Sequence, residues 1–134
     1  MTPKKEDVEK IEGFLKKLKI DPQKAQQGDN AWLIRQGNAH IFVLVAGGFL
    51  IFQSPMIATP KTNIQTLYRL LLELNDNASE TLGTAFGINT HNEIVLKSLY
   101  PFQSLSFEAF SYFITSIAHV ADKYRKQLKE KFDV

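Results

Sequence analysis

Apolar residues near the start of the chain recur at three- and four-residue steps, which is the spacing of one helix face. Thr2-Pro3 is a typical helix start, a hydroxyl cap followed by proline. The Asp21-Pro22 pair disfavours helical geometry, so we predict an amphipathic helix that ends near Lys19. Its apolar stripe consists of Val8, Ile11, Phe14, Leu15 and Leu18.

Three short runs of strand-like composition follow, separated by pairs of turn-forming residues. The runs are Ala31–Gln36, Ala39–Ala46 and Phe49–Ser54, and the separators are Gly37-Asn38 and Gly47-Gly48. Glycine and asparagine tolerate the positive φ angles of two-residue hairpin loops. We therefore predict three consecutive antiparallel strands joined by tight turns.

Two-residue loops fix which side chains share a face, because directly paired residues point to the same side of a sheet. One predicted face is wholly apolar and should lie under the helices; it contains Trp32, Ile34, Ile41, Val43, Val45, Leu50 and Phe52. The opposite face is apolar in the middle and polar at its margins; it contains Leu33, Arg35, His40, Phe42, Leu44, Ile51 and Gln53.

The second half of the chain predicts a helix, a hairpin and a final long helix. Asn63 is a candidate cap for a helix that runs to about Leu74 and is apolar enough to be buried on more than one side. Residues 84–89 and 93–99 predict a hairpin. Ser106 is a candidate cap for the last helix.

The resulting order is α-β-β-β-α-β-β-α, an α+β fold with an antiparallel sheet packed with helices. Residues 23–30 and 75–83 are predicted to be polar connectors. The 134 residues fit one domain, 1–134, with a single core.

Composition and charge limit the cellular compartments and the kinds of site that we expect for this protein. The chain has no cysteine, which excludes disulfides and Cys-ligated metals and fits a reducing compartment. It starts without an apolar leader, and the apolar run 41–52 is too short to span a bilayer, so we expect a soluble protein of the cytoplasm. The net charge of +2 hides basic ends, with seven lysines in residues 1–24 and five basic residues in 123–134.

Catalytic and metal-binding patterns are missing from the sequence. His119 and Asp122 have an i, i+3 spacing, but a metal site needs more ligands than two, and no Gly-x-Ser-x-Gly motif is present. We therefore predict no catalytic residues, no metal, no cofactor and no enzymatic activity.

The second strand carries more apolar residues than one buried face requires. Ile41–Val45 does not alternate with polar residues, so we expect this strand to be covered on both faces, by a helix or by another chain. We predict a protein partner, a homodimer or a client, that contacts Leu33, Phe42, Leu44 and Ile51. A second predicted contact patch on the first helix consists of Ile11 and Leu15.

Three alternatives stay open. The first helix is about equally well explained by packing on its own sheet, because both uses require the same stripe. The basic terminal helices could bind nucleic acid or an anionic surface, although nucleic-acid binding usually shows a stronger excess of charge on one face. A small-ligand pocket between helices and sheet is the third alternative.

Several segments resemble a known family. They are the hairpin Phe86–Asn89, His91–Glu93 and Ile94–Leu96, then Tyr100-Pro101, Leu105–Glu108, Ala121–Tyr124 and Leu71–Asn75. With the order of elements, they resemble YbjN-like domains, which have the fold of class I type III secretion chaperones. The resemblance implies a small, often dimeric α+β protein without catalytic activity. It also implies binding of partly unfolded client segments on the first helix and sheet. The secretion chaperones are typically acidic, and the basic balance of this chain places it nearer the YbjN-like side.

Overall fold

The computed structural model describes residues 5–134, and its centre is a six-stranded antiparallel sheet of order β1-β2-β3-β4-β6-β5. The strands are β1 Gln26–Gly28, β2 Ala31–Gln36, β3 Ala39–Ala46, β4 Phe49–Ala58, β5 Ala85–Ile88 and β6 Glu93–Pro101. The helices are α1 Lys5–Lys17, α2 Pro22–Ala25, α3 Ile64–Asn75, α4 Ala78–Thr81 and α5 Phe107–Phe132, with a 3-10 turn at Phe102–Ser104. The α+β fold is confirmed.

Both predicted two-residue turns are present and set the register of the sheet. Gly37 and Gly47 have φ angles of 59°, a region that glycine enters without strain. The strands pair as predicted, with Ile34 opposite Ile41 and Val43 opposite Phe52. The face predicted to lie under the helices is buried, since each of its seven apolar side chains is at most 6% exposed.

The core forms between this inner face and the helices. Phe110 on α5 lies between Phe14 on α1 and Phe52 on β4, with ring centroids 5.4 and 5.8 Å apart. Leu67 and Leu71 of α3 join the same buried cluster. The helix α5 begins as predicted, because the Ser106 hydroxyl accepts a hydrogen bond from the Ala109 N–H at 3.1 Å.

The two predicted connectors contain short elements that periodicity does not reveal. Residues 23–30 hold the end of α2 and strand β1, and residues 75–83 hold α4. Pro22 at the first helical turn and the Asp21 carboxylate, which accepts from the Gln23 N–H, form α2. Strand β1 is exposed throughout and pairs with β2 through its backbone, so it carries no apolar pattern to detect.

Three predicted boundaries differ from the structure. Asn63 precedes α3 but adopts φ 59°, and its side chain makes no capping bond. Strand β4 continues through Pro55, where its register with β6 shifts and the missing N–H of proline is tolerated. The first helix ends at Lys17, two residues early, and the predicted start at Thr2-Pro3 lies outside the described residues.

The outer edge of β5 is closed by one side chain. Asn75 at the end of α3 accepts a hydrogen bond from the Phe86 N–H at 2.7 Å and donates one to the Phe86 carbonyl at 3.1 Å. The amide thus takes the place of a neighbouring strand and leaves this part of the edge unavailable for pairing.

A charged contact joins α4 to α5. The Glu80 carboxylate accepts hydrogen bonds from the Lys123 ammonium, at 2.6 Å, and from the Tyr124 hydroxyl. The hydrogen bond from Lys123 is the main reason that the pKa of Glu80 lies below its ordinary value, and the same bond raises the pKa of Lys123. Burial is the main reason that the pKa of Tyr124 is raised.

We expect Asn75→Ala to destabilise the fold by about 1–3 kcal/mol, because two groups of the Phe86 backbone lose their partner. Urea unfolding measures the change. The control is Gln65→Ala, which truncates an exposed amide on the same helix. Equal stability of the two variants would contradict the role assigned to Asn75.

We expect Glu80→Gln to lower the melting temperature between pH 4.5 and pH 10.0, the ordinary pKa values of Glu80 and Tyr124. The pKa of Glu80 is lower in the folded protein than in the unfolded chain, so ionised Glu80 stabilises the fold above the unfolded-state pKa. This stabilisation is lost as the pH falls through the folded-state pKa. The difference between wild type and variant should therefore shrink below pH 4.5. Thermal melts at pH 3 and pH 7 test this, and a difference that does not depend on pH argues against an ionic contribution.

Candidate protein-binding surface

The register of the sheet brings six apolar side chains together on the face opposite the core. Leu33 pairs with Phe42, Leu44 pairs with Ile51, and Ile51 pairs in turn with Leu99. Phe49 lies two residues before Ile51 on β4, on the same side of the pleat. We call this set the outer apolar band; it consists of Leu33, Phe42, Leu44, Phe49, Ile51 and Leu99.

Solvent reaches the outer apolar band. Phe42, Phe49 and Leu99 are 38%, 39% and 53% exposed, and the other three members are half-buried against them. Four strands about 4.8 Å apart and three rows of side chains give the band an area of about 300 Å². A contiguous apolar patch of this size is often functional.

Strand β3 is covered on one face only within the described chain. We expected cover on both faces, but the side chains of β3 alternate between buried and accessible positions. Among residues 5–134, no helix lies over Phe42, Phe49 or Leu99. The expected wrapping helix is therefore absent from the described residues, and cover by another chain stays a prediction.

The structure brings four of the six predicted contact residues together and separates the other two. Leu33, Phe42, Leu44 and Ile51 form the middle of the outer apolar band. Ile11 and Leu15 are 0% exposed, because α1 packs its stripe into the core. The predicted second patch on the first helix therefore offers no surface in this conformation, and α1 packs within its own chain, where Phe14 contacts Phe107 and Phe110 of α5.

Phe49 and Leu99 are members of the band that the sequence prediction missed. Phe49 follows the glycine turn directly, where its face depends on the exact loop length. The position of Leu99 depends on pairing between β4 and β6, which α3 and α4 separate along the chain. The alternation of Lys97 and Leu99 with buried Leu96 and Ser98 was the available signal.

Two cationic side chains, Arg35 and Lys97, and the imidazole of His40 border one side of the band. Arg35 and His40 pair on β2 and β3, one row beyond Leu33 and Phe42. Lys97 on β6 lies opposite Gln53, in the row of Phe42. All three are exposed. The opposite margin holds Ala46 and the Gly47-Gly48 turn, and it carries one exposed carboxylate, Asp29, directly before Asn30, whose carbonyl accepts from the Val45 N–H.

The other candidate sites lack converging chemistry. His119 and Asp122 are exposed on α5, and within residues 5–134 no group of three His, Asp or Glu side chains could hold a metal ion. Near the end of α5, Arg125 donates to the Asn38 carbonyl at 3.3 Å. The shallow depression beside it mixes Lys126 and Lys129 with Asp122 and Glu130, so its charge is only weakly positive.

None of the helices within residues 5–134 combines the length and the apolar character needed to cross a membrane.

The sequence model of the Tir chaperone protein (CesT) family matches residues 9–125. No curated protein matches the sequence.

Solved structures of similar fold include chains from secretion chaperone complexes. A chain of the ExoU–SpcU complex from the type III secretion system of Pseudomonas aeruginosa has a TM-score of 0.70 and 11% identity, covering 87% of this chain and 95% of that one. A chain of the Yersinia pestis type III secretion chaperone SycH, in complex with a stable fragment of YscM2, has a TM-score of 0.64 and 12% identity, covering 87% and 98%.

The structure of YbjN from E. coli has the same fold. Its TM-score is 0.60 at 12% identity, and the match covers 95% of each chain. At these identities the likeness concerns the fold alone, and it confirms the predicted YbjN-like and chaperone-like architecture.

Proposed function

This chain belongs to the Tir chaperone protein (CesT) family, and on that premise we propose that it binds a protein client through the outer apolar band. It is a non-enzymatic protein. Members of this fold include SycH, whose structure holds a fragment of another protein. In the same way, this chain would hold a segment of a partner protein.

The uncovered state of the outer apolar band is the observation that carries this proposal. Phe42, Phe49 and Leu99 expose aromatic and aliphatic surface side by side on a rigid sheet. A single exposed apolar residue is ordinary, but a contiguous band costs solvation free energy that a partner recovers. All four strands of the band are held by ladder pairing, so a docking partner orders little of this surface.

The size of the band sets the strength of the interaction. Covering about 300 Å² of apolar surface contributes roughly 7 kcal/mol before association costs of at least about 4 kcal/mol are subtracted. The band alone therefore supports a weak and reversible complex. Such binding suits a protein that holds a client and later gives it up, and a tighter complex needs further contacts at the margins of the band.

We propose that self-association uses another surface, the outward side of α3. This helix was predicted to be buried on more than one side, yet Leu72 is 69% exposed. Tyr68 lies one turn away, and Arg69 pairs with Glu73 at 2.9 Å beside it. An apolar centre flanked by both charge signs is self-complementary, as a two-fold interface requires.

We expect Phe42→Asp to abolish client binding, because a carboxylate in the middle of the band would be desolvated on docking. The matched control is Ile88→Asp, since Ile88 is 48% exposed on a strand outside the band. Immobilised wild type and both variants are exposed to lysate of the source organism, and bound proteins are compared by quantitative mass spectrometry. Clients kept by Ile88→Asp and lost by Phe42→Asp support the proposal. If a folded Phe42→Asp variant bound the same proteins as wild type, the proposal would be wrong.

We expect wild type to be a dimer and Leu72→Glu to be a monomer, because the charge would face its own copy across the two-fold axis. Light scattering after size exclusion, at two protein concentrations, measures the mass. Phe42→Asp should stay dimeric. A monomeric wild type, or a dimeric Leu72→Glu, contradicts the α3 interface and leaves the client surface unaffected.

A further inference from the structure

We propose that the client segment held by the outer apolar band is amphipathic and acidic, with its carboxylates placed opposite Arg35 and Lys97. This inference rests on the proposed function and adds the chemistry of the client. It follows from the distribution of charge around the band and from the band's area.

Two cations, Arg35 and Lys97, lie on one side of the outer apolar band. Arg35 and Lys97 are exposed, and neither forms an ion pair with a carboxylate within residues 5–134. They lie on strands β2 and β6, three strand spacings apart and offset by one row of side chains, which is about 16 Å in all, along the same side of the band. A docking segment that follows this margin meets two free cations.

The strands supply no carboxylate of their own to these cations. Across all six strands the single acidic residue is Glu93, at the first position of β6. Glu93 lies four residues, about 13 Å, from Lys97 along the strand. It accepts a hydrogen bond from the Asn89 side chain at 2.9 Å, within its own turn. Arg35 and Lys97 therefore stay available to a carboxylate of a bound partner.

A second copy of this chain fits the outer face poorly. Two-fold docking of the face on itself sets the cationic margin against the same margin, which has no carboxylate, or against the opposite one, which offers the single carboxylate of Asp29 to two cations. The area of about 300 Å² is also well below the roughly 800 Å² per partner of a stable interface. A short segment matches that area better than a whole domain does.

A nucleic acid is also a poor match. Six apolar side chains occupy the centre of the surface, and two fixed cations neutralise few phosphates. A peptide combines both requirements: its apolar residues cover the band, while Asp or Glu side chains reach the margin. Spanning about 16 Å takes about five residues of extended chain or about eleven of helix.

The experiment begins with selection of random 16-residue peptides, displayed on yeast, against the full-length protein. Binders that are lost with Phe42→Asp are kept and synthesised with a fluorescent label. The acidic positions of the best binder are then made all Glu, all Gln or all Lys. Fluorescence anisotropy measures the affinity of each peptide for wild type, for Arg35→Glu/Lys97→Glu, and for Lys24→Glu/Lys126→Glu. The last variant has the same net-charge change at exposed sites on helices.

We expect the selected peptides to be enriched in Asp and Glu. The Glu peptide should bind wild type about tenfold more tightly than the Gln peptide at low salt, as expected for two charge pairs at the rim of an interface. Arg35→Glu/Lys97→Glu should remove this preference, and so should 0.5 M salt, while Lys24→Glu/Lys126→Glu should keep most of it. Circular dichroism melts verify that each variant is folded.

The other outcomes separate the two proposals. Equal binding of the Glu, Gln and Lys peptides, with loss in Phe42→Asp, overturns the acidic client and leaves the proposed function standing. A selection without any Phe42-dependent peptide overturns both. Tight binding of a labelled oligonucleotide that requires Arg35 and Lys97 but not Phe42 overturns the acidic peptide in favour of a nucleic acid. A wild-type dimer that Phe42→Asp dissociates shows that a second copy covers the band and also overturns it.

Discussion

The rest of the structure depends on the burial of one wholly apolar sheet face under α1 and α5. Two glycine turns lock β2, β3 and β4 in a register that collects Trp32, Ile41 and Phe52 on the same side. The Phe14, Phe110 and Phe52 rings then join both helices to the sheet. Because side chains alternate along a strand, the same register also decides which residues are left on the other face.

The outer apolar band, which we propose to bind clients, is a consequence of that one-sided burial. The described helices pack into the core and leave the outer face open, so a chain with an ordinary share of apolar residues presents a contiguous apolar band. Two polar contacts stabilise the fold away from the core, one at the edge of the sheet and one between two helices. Asn75 occupies the edge of β5, and Glu80 ties α4 to α5. The protein thus closes one of its edges and keeps one face available, which suits a molecule that holds other chains without chemistry of its own.

The charged residues around the outer apolar band are distributed unevenly. The net charge of +2 says little by itself, since basic and acidic residues mix along the helices. On the sheet they are separated: Arg35 and Lys97 border the band, and the single acid Glu93 is engaged in its turn. In the proposed complex, apolar contact and charge would act on different parts of the client, the first contributing affinity and the second orientation.

The sequence by itself determined the elements with strong local patterns: the helical stripes, the two glycine turns, the faces of β2 to β4 and the Ser106 cap. Those features depend on residues close together in the chain. The sequence could not find β1, α2 or α4, which are too short to show a period, nor decide whether Ile11 and Leu15 would be core or surface. Only the tertiary structure decided that, because the same apolar stripe serves either use until its neighbours are known. It also decided the pairing of β4 with β6, which added Leu99 to the band and Lys97 to its margin through contacts between distant parts of the chain.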